Sequence, residues 1–154
     1  MRRIISVILV FIFVLSSCGK KVILDETHQF EDGIWMRFDA TEFKVDINDI
    51  EPTYNISVTV SYDTSRYRET SLPLVVDFFP DSNELHNFTP IMKLREKDGT
   101  LRGVVLGNYC TVTDTIDRHR IYNREGSYTY RIRQRTSKYE IYGFNTINLK
   151  VERL

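Results

Sequence analysis

Tyr54-Asn55-Ile56-Ser57-Val58-Thr59-Val60-Ser61-Tyr62 decides the fold class. Every second residue is large and apolar or aromatic, and every residue between them is small and polar. A period of two is the signature of a strand with one face in a core and one face in water, because successive side chains leave a strand on opposite sides. A helix would need the apolar positions three and four apart. The same alternation returns in Ser127-Tyr128-Thr129-Tyr130-Arg131-Ile132-Arg133 and in Ile147-Asn148-Leu149-Lys150-Val151-Glu152.

Outward from these three stretches, aromatic and β-branched residues dominate and long helical periodicity is missing. Trp35 to Phe38 and Phe43 to Ile47 make one or two strands at the start; Leu72 to Phe79, Thr89 to Glu96, Leu101 to Leu106 and Thr115 to Tyr122 add more. Leu72 to Phe79 is nearly all apolar, which places it centrally in its sheet, with Pro73 near its start where strands tolerate proline. Lys97-Asp98-Gly99-Thr100 carries the Asp-Gly signal of a two-residue hairpin, in which both central residues take positive φ. Asn123 to Gly126 punctuates another pair. About 8–10 short strands separated by turns predict an all-β antiparallel β-sandwich, with a small barrel as the alternative.

The start of the chain follows different rules. Arg2 and Arg3 are followed by an apolar run from Ile4 to Leu15, interrupted only by Ser6. This run is too short to cross a bilayer as a helix, which takes roughly 20 apolar residues. It suits the core of an export signal. Leu15-Ser16-Ser17-Cys18 resembles the bacterial lipobox, whose small residues fit a signal peptidase and whose cysteine carries the lipid. Residues 1–17 are therefore expected to be a lipoprotein signal peptide, with Cys18 the lipidated first residue of the mature protein. More than one acyl chain on that residue gives stable membrane anchoring. Residues 18–32 read as a lipidated tether, polar at Lys20-Lys21 and Asp25-Glu26 and without periodicity before Ile34, and residues 33–154 as the sandwich domain. The second mature residue is Gly19 rather than Asp, which favours the outer membrane.

Composition bounds the function. The 21 Lys and Arg balance the 21 Asp and Glu, and the signal removes two of the bases, so the mature domain is slightly acidic. Nucleic-acid binding usually requires a basic domain and is not expected. Of the two cysteines, Cys18 is assigned to lipid, leaving Cys110 in a strand-like context as an inert buried thiol. His28, His86 and His119 lack ligand spacing, so no metal or other cofactor is expected. Neither Gly-x-Ser-x-Gly nor His-Glu-x-x-His occurs, and no catalytic residue is assigned: the chain is read as a non-enzyme.

Two surface features remain. Arg131, Arg133 and Arg135 alternate on one strand, and Arg118 and Arg120 on the preceding one. Paired as a hairpin across Asn123 to Gly126, the two strands would gather five arginines on one sheet face. That face would be an anion-binding or partner-docking surface, for acidic glycan or phosphate-rich lipid, or simply a solvated face partnered by acids on neighbouring strands. Tyr139 and Tyr142, near the last turn, are the aromatics to inspect as a sugar-stacking platform; the other tyrosines fall mostly on apolar strand faces.

The order of these features resembles a known family. The lipobox is followed by Trp35, by Phe43-Lys44-Val45-Asp46-Ile47, by Asp49 with Tyr54-Asn55-Ile56-Ser57-Val58, then by Arg66-Tyr67, Leu72-Pro73-Leu74, Asp98-Gly99 and Gly103. Gly126-Ser127-Tyr128-Thr129-Tyr130-Arg131-Ile132 and the alternation ending at Val151-Glu152 close the chain. From about Trp35 to Glu152 the chain is similar to the gliding-motility lipoprotein H family of the Bacteroidetes. The resemblance implies an envelope-anchored, non-catalytic interaction or assembly component with envelope proteins as partners. A glycan-binding surface lipoprotein is the alternative.

Overall fold

The computed structural model describes residues 20–80 and 85–154. Cys18 and residues 1–17, expected to be a signal peptide, lie outside them. Within the described residues the chain runs through twelve strands: β1 (Lys21–Gln29), β2 (Ile34–Met36), β3 (Thr41–Ile47), β4 (Tyr54–Asp63), β5 (Ser71–Pro80), β6 (His86–Phe88), β7 (Ile91–Lys93), β8 (Val104–Leu106), β9 (Tyr109–Arg120), β10 (Gly126–Gln134), β11 (Glu140–Tyr142) and β12 (Phe144–Arg153). The number exceeds the expected 8–10 because β2, β6, β7, β8 and β11 are three-residue strands, too short to show a period in sequence.

Two antiparallel sheets pack face to face. The front sheet has the order β1-β12-β4-β9-β8, and the back sheet the order β3-β10-β5-β6 with β7 also beside β5. A two-stranded ribbon, β11 with β2, accompanies them. The architecture is the expected sandwich rather than a closed barrel. The alternation of the opening stretch explains the core: Tyr54, Ile56, Val58, Val60 and Tyr62 are all buried, beside Ile147, Leu149 and Val151 of β12 and Cys110 and Val112 of β9. The back sheet contributes Phe43, Val45, Ile47, Leu72, Leu74, Val76, Phe78, Tyr128, Tyr130 and Ile132 to the same cluster. β5 is internal in its sheet, as its apolar run implies.

Three expectations need correction. The tether ends before Lys21. Lys21–Gln29 is β1, paired with β12 from Lys21 opposite Arg153 to Gln29 opposite Thr146, with a bulge between Val22 and Leu24. β12 would otherwise have an open edge of unpaired backbone groups, and Ile23 and Leu24 pack against the core. The sandwich thus begins near residue 21, not 33. Second, the Asp98-Gly99 turn is not the expected two-residue form. Only Gly99 has positive φ (87°), and Gly99 N–H donates to the Glu96 carbonyl while Glu96 N–H donates to the Thr100 carbonyl. This is a type I turn closed by a left-handed glycine. Third, β9 and β10 are not a hairpin: β9 belongs to the front sheet and β10 to the back. The link 121–125 crosses between the sheets, and its Tyr122 is buried between them against Tyr54, Phe78 and Tyr128.

Register defines two ends of the sandwich. Lys21, Arg153, Tyr54 and Arg120 stand side by side at one end of the front sheet. Because β10 starts where the link from β9 arrives, Gly126 and Ile47 of the back sheet share that end. Leu106, Tyr109 and Asp63 mark the opposite end.

Candidate interaction surface

The five arginines do not converge. Arg118 and Arg120 belong to the front sheet, Arg131 and Arg133 to the back sheet, and Arg135 follows β10. Three of them are engaged with acids. Arg120 pairs with Asp117 and lays its guanidinium over Phe78, 5.0 Å from the ring centre. Arg131 pairs with Glu42 at 2.7 Å and lies over Phe79, and Arg133 pairs with the nearly buried Asp77 at 2.7 Å. Arg118 and Arg135 are exposed. The outer face of the back sheet is therefore an ion-paired, solvated surface, Lys44 and Asp46 extending it along β3.

The outer face of the front sheet is different, and its residues come from the polar half of the same alternation that built the core. Register lines them up across the strands. Thr27 stands opposite Asn148, Asn148 opposite Thr59, and Thr59 opposite Thr113. In the next row Gln29, Thr146, Ser61, Thr111 and Val104 run across all five strands. Neither row contains a charge. Side-chain hydrogen bonds fix the first row, Thr59 to Thr113 at 2.8 Å and the Asn148 amide to Thr27 at 2.9 Å, and tie it to the row on its Lys21 side, where Asp25 accepts from Asn148 at 2.7 Å and Ser57 meets Thr115 at 3.1 Å. Cross-strand hydroxyl and amide pairs of this kind hold short side chains in one arrangement and leave the surface flat. Charges return towards the Lys21 end, where Lys150 pairs with Glu152. Hydrogen bonding to that carboxylate raises the Lys150 ammonium above its ordinary value.

Towards β8 the face turns apolar. Val104 and Leu106 are 77% and 83% exposed, and Tyr109 is 46% exposed. β8 is an edge strand whose turn, Gly107-Asn108, has positive φ only at Gly107 (60°). In a two-residue hairpin Leu106 and Tyr109 exchange hydrogen bonds, which turns the N–H and C=O of Val105 outward off the sheet. The turn is anchored, since Thr64 N–H donates to the Asn108 carbonyl at 2.8 Å. Edge strands usually carry charge that prevents pairing with another chain; this one carries none.

Tyr139 and Tyr142 are exposed, 59% and 45%. They border a shallow hollow with Arg66, Lys138 and Glu140, and the Tyr142 hydroxyl donates to Glu140. Tyr139 sits 5.9 Å from the exposed ring of Phe38. Cys110 is fully buried and unpaired.

Sequence reasoning noticed that Asn55, Ser57, Thr59 and Ser61 point away from the core. It did not weigh that they are uncharged, nor that Thr111, Thr113, Thr146 and Asn148 have the same character. That shared absence of charge on outward positions of three strands was the available signal.

One family model matches: that of the GldH lipoprotein family, over residues 22–151. No curated protein and no solved structure gave a match.

Proposed function

This chain belongs to the GldH lipoprotein family, and from that premise we propose that it is a lipid-anchored cell-envelope protein acting as a non-catalytic assembly component of surface motility machinery. Cys18 carries the lipid, and the outer membrane is the site of anchoring. The observation that carries the assembly role is the front sheet's outer face: two flat, charge-free rows of hydroxyl and amide groups running into the exposed apolar strand β8. Protein interfaces are depleted of charge at their centres and gain affinity from apolar and aromatic anchors. A second protein centred on these two rows would meet no ion pair at its centre, whereas on the back sheet it would cover Arg131–Glu42 and Arg133–Asp77.

The test is a crosslinking capture of the tagged protein from native envelopes, beside a Cys18→Ala control. The expected result is recovery of envelope proteins of a motility or secretion machine, lost in the control. Recovery of no protein partner overturns the assembly role.

A further inference from the structure

We infer that the lipid seats this domain end-on against the membrane, with Ile121 in contact with phospholipid headgroups and the β8–β9 hairpin held away from them. The inference rests on Cys18 lipidation as proposed above. Only Gly19 and Lys20 separate Cys18 from the first residue of β1. Three Cα steps of about 3.8 Å cap the reach at about 11 Å. An acylated Cys18 therefore fixes the position of the Lys21 end of the sandwich, and no spacer lifts the domain off the bilayer.

That end has the chemistry of a headgroup contact. Ile121 is 65% exposed while its neighbour Tyr122 is 2% exposed. The buried ring locks the link 121–125 between the sheets, so Ile121 projects from a fixed position. Val22, Ile50 and Leu154 are exposed around the same end. Two carboxylates here are already occupied, Asp49 by Arg153 at 3.0 Å and Asp117 by Arg120. Asp46, Glu51 and Glu125 are exposed acids. Beside them, Lys20, Lys21 and Arg118 are exposed and make no ion pair among the described residues. An exposed apolar tip beside the lysines that lead to the anchor fits a contact with phosphate headgroups over acyl chains. The opposite end is far away: the first and last of the 12 residues of β9 are eleven steps of about 3.3 Å apart, about 36 Å. Val104, Leu106 and Tyr109 therefore face away from the bilayer, towards the compartment in which a protein partner would lie.

The experiment uses the lipidated protein in phosphatidylethanolamine–phosphatidylglycerol vesicles. An environment-sensitive fluorophore is placed at Ile121→Cys or Asn123→Cys, with Leu106→Cys as the distal control. Cys110 is buried and does not compete for label. Expected is flotation of all three with the vesicles, and blue-shifted emission at 121 and 123 but not at 106. Flotation with water-like emission at both 121 and 123 overturns the seating and leaves the anchor intact. Failure to float, with a mass that lacks acyl chains, overturns the anchor and the seating with it.

Discussion

The hydroxyls of Tyr122 and Tyr130 lie 2.7 Å apart inside the core, each the other's hydrogen-bond partner. Tyr122 comes from the link that crosses between the sheets and Tyr130 from the middle of β10, so this bond ties the crossing to the back sheet. Removing one hydroxyl strands the other without water. Tyr122→Phe or Tyr130→Phe is expected to cost about 1–3 kcal/mol in urea denaturation, and the double variant less than the sum of the two, because it leaves no orphan. Additive losses would mean that the two hydroxyls do not depend on each other.

The same burial makes the fold sensitive to alkali. Burial pushes the Tyr62 and Tyr67 hydroxyls up to about 12, with Cys110 beside Tyr62 and Glu69 near Tyr67 adding to the rise. It also raises the Tyr122 and Tyr130 hydroxyls. In the unfolded chain these groups lose their protons near pH 10, the ordinary tyrosine value. Between there and about pH 12 the folded state binds more protons than the unfolded state, so stability falls as pH rises. The contribution is fully present below pH 10. The melting temperature is expected to hold up to about pH 9.5 and then drop, with less drop in Tyr67→Phe. A flat profile through this window would show that these tyrosines titrate normally.

The core was legible because burial imposes a period on the sequence, and every apolar position from Tyr54 to Tyr62 obeys it. β1 was not legible for the opposite reason. Only Ile23 and Leu24 of Lys21–Gln29 reach the core, so an edge strand with one neighbour reads like a polar linker until β12 is there to pair with it. The arginine reading failed on topology. A five-residue connection between two alternating strands suggests a hairpin, but a hairpin tip faces water and has no use for a buried aromatic. Tyr122 within the link was the sign that the chain crosses between sheets. The charge-free face lay between these extremes: its residues were visible, and their alignment required register.

That face and the back sheet give opposite predictions on substitution. Thr59 is half-buried on the outer face of a central strand. Thr59→Arg is expected to change stability by no more than about 1 kcal/mol. It puts a charge into the middle of the uncharged rows and should lower partner capture about tenfold, equivalent to about 1.4 kcal/mol of binding. Arg131→Ala removes an exposed ion pair with Glu42 and should cost at most about 1 kcal/mol in stability, with capture unchanged. If Arg131→Ala abolishes capture and Thr59→Arg leaves it intact, the docking surface lies on the back sheet.

The strongest test of where the domain begins is deletion of residues 21–29 with Cys18 retained. A tether could be shortened without thermodynamic consequence, since a flexible segment contributes no packing. A strand could not. Its loss leaves the whole length of β12 as an open edge and uncovers the core beneath Ile23 and Leu24. It also detaches the backbone leading to Phe30, whose ring stacks on Trp35 at 4.7 Å. With each ladder hydrogen bond contributing about 0.5–1.5 kcal/mol net and the two aliphatic side chains about 1–2 kcal/mol together, the deletion should cost more than about 3 kcal/mol, a fall in melting temperature of roughly 10 °C or more. Two residues inserted between Gly19 and Lys20 touch none of these contacts and should leave stability unchanged within about 0.5 kcal/mol. Equal stability of the deletion variant and the parent would mean that β1 adds nothing to the sheet. The 11 Å limit on anchor reach, which depends on β1 being held, would then no longer apply.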